Sequence, residues 1–367
     1  MSWTALLLLL SLATGQTQAD CTPNKEIIKQ LVFDRRSIPG GATTVEIEFW
    51  IQQLRGPSVE KQTVDMDVYV SEYFKDPKLD FRSLNPCSDN VTLGYYEWEK
   101  LWNPSTAFIN SIETLLHKSP IDNIFILIYS DGRVWTNRRI NVRLPCSVEA
   151  WRYPFNIVTC TAHYESYAYK KSEVDLVWKQ QPMMLPQEDD PVYALLASPT
   201  AARTEQTYPA GVWPELKVTM QFAQGSSRWL FQTGLPCCIF LIFGWSSLVL
   251  GGQRGARLLL CSTSLILLAI QQTAERNPFP ATFTALHLWY LMCKLASLGP
   301  LLAAVCWPGC GRQSGEQELS LLNGKEVGVR RGNGRGCSGW SDRALAIGLP
   351  TVFALLTVAY AAAYVLS

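Results

Sequence analysis

Cys146-Ser-Val-Glu-Ala-Trp-Arg-Tyr-Pro-Phe-Asn-Ile-Val-Thr-Cys160 sets two cysteines thirteen residues apart around a central Tyr153-Pro154. A bond between them would close a small loop, worth roughly 3 kcal/mol in loop entropy. It would also hold Trp151–Phe155 as a rigid tip. The same pair can equally be an ordinary staple of a β-sandwich, so its meaning depends on its surroundings. It lies in a polar, charged stretch, residues 20–228, that is rich in Trp and Tyr. From Trp229 onward the sequence turns into long apolar blocks. That break is the principal boundary of the chain.

Upstream of that stretch, the apolar run from Ala5 to Ala13 and the small residues ahead of Asp20 read as a secretory signal peptide over residues 1–19. Nine apolar residues are too few to span a bilayer. Export would place residues 20–228 in an oxidising compartment, where Cys21, Cys87, Cys146 and Cys160 can pair. Cys21 with Cys87 is the second pairing open to them. Asn90-Val91-Thr92 is a glycosylation sequon, whereas Pro104 spoils the one at Asn103.

The exported stretch alternates. After a short helix with Pro23 at its first position and running over Lys25–Phe33, Val45, Ile47 and Phe49 share one face of a strand. Val64, Met66, Val68 and Val70 repeat the pattern against Asp65, Asp67 and Tyr69. Ile124–Tyr129 ends at Ser130-Asp131-Gly132, a hairpin signal, with Val134–Leu144 as the return strand. Such segments predict an all-β sandwich. Helical periodicity returns only in Phe108–Leu116.

Beyond the boundary, Trp229–Leu250 and Ala344–Leu366 are free of charge and long enough to cross a bilayer. Leu258–Ala274 carries Cys261, Ser262, Thr263, Ser264, Gln271, Gln272 and Thr273, and Ala281–Trp307 contains His287 and Lys294. These two compromised blocks should face protein or water as well as lipid, and an intramembrane charge such as Lys294 is a functional hypothesis by default. Arg254 and Arg257 flank one link; Arg312, Lys325, Arg330, Arg331, Arg335 and Arg343 lie in another. Both links should be cytoplasmic, leaving residues 20–228 and the C-terminus extracellular. The longer link is Gly-rich and is expected to be mostly disordered, with one helical turn near Glu318–Leu322. The expected domains are therefore 1–19, 20–228, three spans within 229–306, a loop at 307–343 and a fourth span at 344–367.

The net charge of +1, from 32 basic and 31 acidic residues, gives nucleic-acid binding no support. His117, His163 and His287 are scattered, and Cys310 and Cys337 are too isolated for zinc. No catalytic, phosphate or metal constellation stands out, so neither an enzyme nor a cofactor is expected. A multi-pass transporter is the alternative from another class, and the lack of inverted repeats argues against it.

Further motifs stand in order around the cysteine pair. They are Asp76-Pro77-Lys78-Leu79, Trp102-Asn103-Pro104 with Phe108 and Asn110, and Asp131-Gly132-Arg133-Val134 with Arg139. Glu165-Ser166-Tyr167-Ala168-Tyr169 follows, then Asp175, Trp178, Pro236 at the opening of the first span, and Ala256-Arg257 before the second. Together with the loop, these resemble the Cys-loop receptors, the pentameric ligand-gated ion channels, over roughly residues 23–307 and the last span.

The resemblance implies a homo- or hetero-pentamer in the plasma membrane, with a small-molecule ligand between subunits, permeant ions and a surrounding lipid bilayer. It places Tyr167, Tyr208 and Trp213 on the principal face, and Tyr69, Ser71 and Thr136 on the complementary one. It also puts coupling on Trp151, Tyr153, Pro154, Phe155, Asn156 and Gln224. Aromatic faces suit a cationic amine, at ~0.5–2 kcal/mol for each good contact. Ser71 replaces the Arg that binds amino-acid transmitters, Leu115-Leu116 stand where another ring is expected, and the capping hairpin has no adjacent cysteines. Amides at Asn156 and Gln224 replace the family's Asp and Arg, with Arg228 as the alternative partner.

At helical spacing from Arg257, the pore stripe reads Leu259, Thr263, Ile266, Ile270, Thr273 and Asn277. It predicts a narrow, largely apolar pore that could close by dewetting. Gly255-Ala256-Arg257 without a preceding acid leans toward anions. A receptor subunit of the same fold that does not conduct alone is the other reading.

Overall fold

The computed structural model describes residues 21–31, 33–185, 193–249, 254–306 and 339–364. The expected signal peptide, and residues 307–338 of the expected cytoplasmic loop, lie outside the described residues. The chain divides into two compact units. One comprises the residues up to Ser147 with Thr159–Phe222, and the other comprises Val148–Val158 with the residues from Ala223 onward.

The first unit opens with helix α1 (Asn24–Gln30), which is shorter than expected. Pro23 is its N-cap, and Leu31, in extended conformation, ends it. The strands are β1 (Thr43–Leu54), β2 (Thr63–Asp80), β3 (Asn90–Leu93), then helix α2 (Tyr95–Trp98), β4 (Thr106–Phe108), β5 (Glu113–Leu116), β6 (Ile124–Tyr129), β7 (Asp131–Val148), β8 (Ile157–Ser166), β9 (Val174–Met184), β10 (Tyr193–Leu195), β11 (Thr200–Tyr208) and β12 (Gly211–Gln224). Hydrogen bonding gives the order β10-β12-β8-β7-β2-β1-β9, with β11 on β12. β1 runs parallel to β9 and antiparallel to β2.

The alternation read from the sequence is the alternation of burial. Val45, Ile47, Phe49, Val64, Met66, Val68 and Val70 are all buried, and the ring of Phe49 meets Phe108, Tyr164 and Trp178 at 5.2–5.4 Å. At the β6–β7 turn Gly132 has φ +79°, and a Cβ there would lie 2.5 Å from the Asp76 carbonyl oxygen. Both the dihedral and the close approach require glycine. Phe108–Leu116 is not helical. The Asn110 side chain donates to the Thr161 carbonyl and accepts the His163 N–H, which sends β4 onto β8 and β5 onto β7.

Fully buried Glu72 accepts hydrogen bonds from Thr136 at 3.1 Å, Tyr164 at 3.0 Å, Arg138 at 2.7 Å and Thr106. Cys21–Cys87 and Cys146–Cys160 are both disulfide-bonded.

The second unit holds four helices long and apolar enough to cross a membrane. They are α3 (Ser226–Leu248), α4 (Arg254–Ala274), α5 (Ala285–Cys306) and α6 (Gly339–Tyr364). Pro236 does not open the first of them, which already runs from Ser226. Proline lacks the N–H that would bond to the carbonyl four residues back, Gln232. That oxygen accepts from Gln271 of α4 instead, at 3.0 Å, and residues Leu230–Gly234 form a π turn. A neighbouring helix thus supplies the missing donor, and the span continues through its proline.

α3 and α4 approach closely, since a Cβ on Gly244 would lie 2.8 Å from Ser264 Oγ. Ser264 donates to the Phe240 carbonyl at 2.7 Å, and Lys294 donates to Gln272. The polar residues on the buried face of α4 therefore serve helix packing.

Candidate functional site: two aromatic clusters and an apolar stripe

The first cluster is built by β8, β11 and β12. Tyr167 follows β8 and is 83% exposed, with its N–H held by the Ser105 carbonyl at 2.9 Å. Tyr208 and Trp213 flank the β11–β12 turn, with rings edge-on at 5.5 Å. Beneath them lies Glu165, 6% exposed, whose Oε1 accepts from the Tyr208 hydroxyl at 3.4 Å. Its Oε2 is buried without a hydrogen-bond partner among the described residues. Burial, and then the nearby Glu215, raises the Glu165 pKa above the ordinary carboxylate range. Burial pushes Glu215 the same way, but bonds from His163 and Thr204 hold it below that range. The aromatic edge thus carries a carboxylate that favours a positive neighbour.

A second cluster spans β1, β2, β6 and β7. Trp50, Tyr69, Phe125, Trp135 and Asn137 are among the residues lining an open cavity of about 600 Å³. Two residues expected at the ligand site are buried here: Thr136 because the strand alternation turns it to the core face, and Ser71, on the same face as Tyr69, because it lies opposite Asn137 and is bonded to it. Thr136 is fully buried and bonded to Glu72 on the core face, so Asn137 and Trp135 take the outward positions. Ser71 is also buried, and accepts from Asn137 Nδ2 at 2.9 Å. Asn137 Oδ1 and Trp135 Nε1 have no partners among the described residues. Tyr69 lines the cavity with the Arg139 guanidinium over its ring at 5.7 Å, and that guanidinium is held by Asp67 at 2.7 and 3.1 Å.

Leu115 and Leu116 pair with Asn141 and Ile140 of β7, away from β8. The residue of β4 opposite Glu165 is Ala107, so no ring stands there. Glu165, Asn137, Trp135 and Trp50 were not among the sequence-derived site residues. Placing Trp135 and Asn137 requires the register of β2 on β7, and nothing local marks Glu165 as an unsatisfied acid.

In the second unit the cysteine-flanked loop packs on helix ends. The Tyr153 carbonyl accepts the Leu286 N–H at 3.0 Å, satisfying an orphan donor in the first turn of α5. Phe155 meets Trp229 at 5.1 Å, Tyr153 meets Phe279 at 6.0 Å, and Trp151 meets Tyr364 at 6.0 Å. Pro154 is buried. Asn156 is fully buried, and neither amide atom has a hydrogen-bond partner among the described residues, so it makes no bond to Gln224 or Arg228. Arg228 reaches Gln232 instead, at 3.4 Å.

Along α4, Leu259, Ile266 and Ile270 are 64%, 56% and 57% exposed, and Thr273 is exposed beside them. Thr263 and Thr273 bond their hydroxyls back to Leu260 and Ile270, both at 2.9 Å. The stripe therefore offers few free polar atoms. Arg257 departs from it, being 2% exposed on the packed face. So does Asn277, which bonds Phe279 in the turn beyond the helix.

A ligand-binding sandwich followed by four membrane-length helices defines a multi-pass membrane receptor. The pattern described as "Neurotransmitter-gated ion-channel ligand binding domain" matches residues 24–230. The chain is 33% identical over 281 residues to a probable ligand-gated ion channel 46 of Caenorhabditis elegans, covering 76% of this chain and 55% of that protein. It is 30% identical over 295 residues to the acetylcholine-gated chloride channel subunit acc-1 of the same organism, covering 78% and 63%. With that organism's serotonin-gated chloride channel mod-1 the identity is 28% over 274 residues, covering 72% and 55%. The chain thus spans less than two thirds of the length of each of these three relatives. It belongs to the Cys-loop family of neurotransmitter-gated ion channels, a family of pentameric channels and not of enzymes.

Proposed function

We propose that this chain is a channel subunit that binds a small organic amine between neighbouring copies and opens an anion-leaning pore. The observation that carries the ligand class is the unpartnered, buried Oε2 of Glu165 beneath Tyr208 and Trp213. A carboxylate among exposed rings favours an ammonium group, through both charge and ring faces. Ser71 offers no counter-charge to a carboxylate ligand, and Arg139 is engaged by Asp67. Tyr69, Trp135 and Asn137 would form the complementary wall. Relatives named for acetylcholine and serotonin agree with an amine, and those named as chloride channels agree with Ala256-Arg257 at the start of the pore helix. The Tyr153–Leu286 bond supports a coupling role for the loop.

In this reading residues 1–19 are removed and residues 20–228 are extracellular. Asn90, half-buried at the start of β3, carries a glycan. The protein resides in the plasma membrane with its C-terminus outside. Expression in oocytes with an amine panel and current recording tests the proposal. Amine-evoked chloride current that Glu165→Gln weakens at least tenfold is expected. Responses to amino acids alone would overturn the ligand class, and sodium-selective current would overturn the anion preference.

A subunit that conducts only with partners is the second reading, favoured by the apolar stripe of Leu259, Ile266 and Ile270. Leu259→Ser and Ile266→Thr should raise resting current by easing wetting. Silence in both variants, with amine binding retained, would favour this second reading.

A further inference from the structure

The sandwich unit holds another cavity, of about 480 Å³, that none of the rings or polar groups of the two aromatic clusters lines. Its size falls within the roughly 300–1,000 Å³ of small-molecule pockets. Trp98 at the end of α2, Phe108 on β4, Leu116 on β5, Ile124 on β6 and Ile140 on β7 give it apolar walls, and its charged residues are Arg35, Arg138 and Glu99. The Arg138 guanidinium sits over the Trp98 ring at 5.5 Å. It donates to Glu72, Thr106 and Tyr164 at 2.7–2.9 Å, all through Nη2, and its Nε has no partner among the described residues. Its side chain stays 15% exposed, although Glu72 behind it is fully buried. Arg35 is exposed and donates from Nη1 to a neutral group, the Glu99 backbone carbonyl, at 3.1 Å.

We propose that this cavity binds a small organic acid, its carboxylate on Arg35 and Arg138 and its apolar body on the surrounding walls. Charge selects the class. Two guanidinium groups and one carboxylate line the cavity, so the balance at its wall is positive. Glu72 balances Arg138 from the buried side, but its oxygens already accept from four donors and offer a cationic ligand nothing. Arg35 has spent its bond on a neutral carbonyl and keeps its charge for a ligand. Guanidinium N–H groups meet a carboxylate through charge-assisted hydrogen bonds, stronger than those to a neutral acceptor. A cationic amine would face both guanidinium groups, and the Trp98 ring that would receive it already carries Arg138. A neutral ligand would gain the apolar contacts without the charge. The cavity therefore prefers the charge opposite to that favoured at the Glu165 edge, and shares none of its residues.

The test uses the full chain purified in lipid nanodiscs, with 2-naphthoate as the probe and empty nanodiscs as the blank. Equilibrium dialysis should find one saturable 2-naphthoate site per subunit. The neutral 2-naphthamide should bind at least about tenfold more weakly, since one charge-assisted bond is worth about that factor. Arg35→Gln should weaken 2-naphthoate at least about tenfold and leave 2-naphthamide unchanged. That side chain is exposed, so its loss spares the core, whereas Arg138 must stay as the counter-ion of Glu72. Thr114→Trp, on exposed β5, should block both probes by filling the cavity. Arg133→Gln removes a guanidinium that lies over the Tyr129 ring outside the cavity, and should change nothing. Size-exclusion profiles and thermal unfolding provide the folding control, and either cavity variant suffices. No saturable binding by the natural chain, equal affinity for acid and amide, unchanged binding in folded Arg35→Gln or Thr114→Trp, or equal loss in Arg133→Gln would each overturn the proposal.

Discussion

In the sandwich unit the acids Glu72, Glu48 and Asp67 are each met by an opposite charge; in the helix unit the half-buried Lys294 and Glu275 are met by neutral groups. Glu72 is bonded by Arg138, Glu48 by Lys179 at 2.9 Å, and Asp67 by Arg139. In the bundle Lys294 is bonded to the Gln272 amide, and Glu275 accepts from Thr233 at 2.6 Å and from Tyr290. The strand pairs place acids and bases at fixed register across long sequence separations, so a buried ion can find a partner ion. The helices meet through small and hydroxylated residues such as Gly244 and Ser264, which favour close approach over ion pairing. Removing one partner should therefore cost more in the sandwich than in the bundle.

The largest effect is expected at Glu72. Glu72→Ala leaves the Arg138 guanidinium, whose side chain is 15% exposed and already tied to Tyr164, without its counter-ion. A loss of about 3–5 kcal/mol should follow, read as a fall in thermal unfolding of the purified protein. A loss below about 1 kcal/mol would mean that water reaches Arg138 and that the contrast between the units is overstated.

Close helix packing is probed by Gly244→Ala. The new methyl would meet Ser264 Oγ at 2.8 Å. Overpacking costs about 1–3 kcal/mol, against up to about 1 kcal/mol gained in helix propensity. Net destabilisation is expected, in part relieved by adding Ser264→Ala, and unfolding temperatures of the two variants measure it.

Glu165 sharpens the comparison, because it is a sandwich acid with one oxygen unmet. Its pKa is raised by burial first, and then by Glu215. Ionisation is therefore a cost to the folded chain at pH above that raised value, and the cost disappears as pH falls through it. An amine binds the ionised form, so its affinity should fall as pH drops through the same window. Binding isotherms between neutral and mildly acid pH test the sign, and Glu165→Gln should flatten the dependence, with a loss of about tenfold at neutral pH.

The smallest effect belongs to Lys294. Lys294→Met removes a charge that is hydrogen-bonded to the neutral Gln272 amide. Stability should change by less than about 1 kcal/mol, or rise, since an intramembrane charge is costly to keep. A loss above about 2 kcal/mol in thermal unfolding would give Lys294 a structural role that its neutral partner does not suggest.

The sequence alone determined the alternation of Val45, Ile47 and Phe49, the turn at Gly132, the four apolar spans and the family, because each follows from period, length or a local motif. It also marked Tyr208 and Trp213, which a tight turn between β11 and β12 brings into ring contact. Only the tertiary structure decided that Thr136 faces Glu72 while Asn137 faces outward, since a one-residue choice of strand face cannot be read without the partner register. It alone decided that Pro236 sits inside a helix, because the donor that frees it from breaking the span comes from Gln271, on another helix. The unmet oxygen of Glu165 was illegible for the same reason. Each is a property of neighbours far apart in the chain, and burial and hydrogen bonding are settled only when those neighbours are in place.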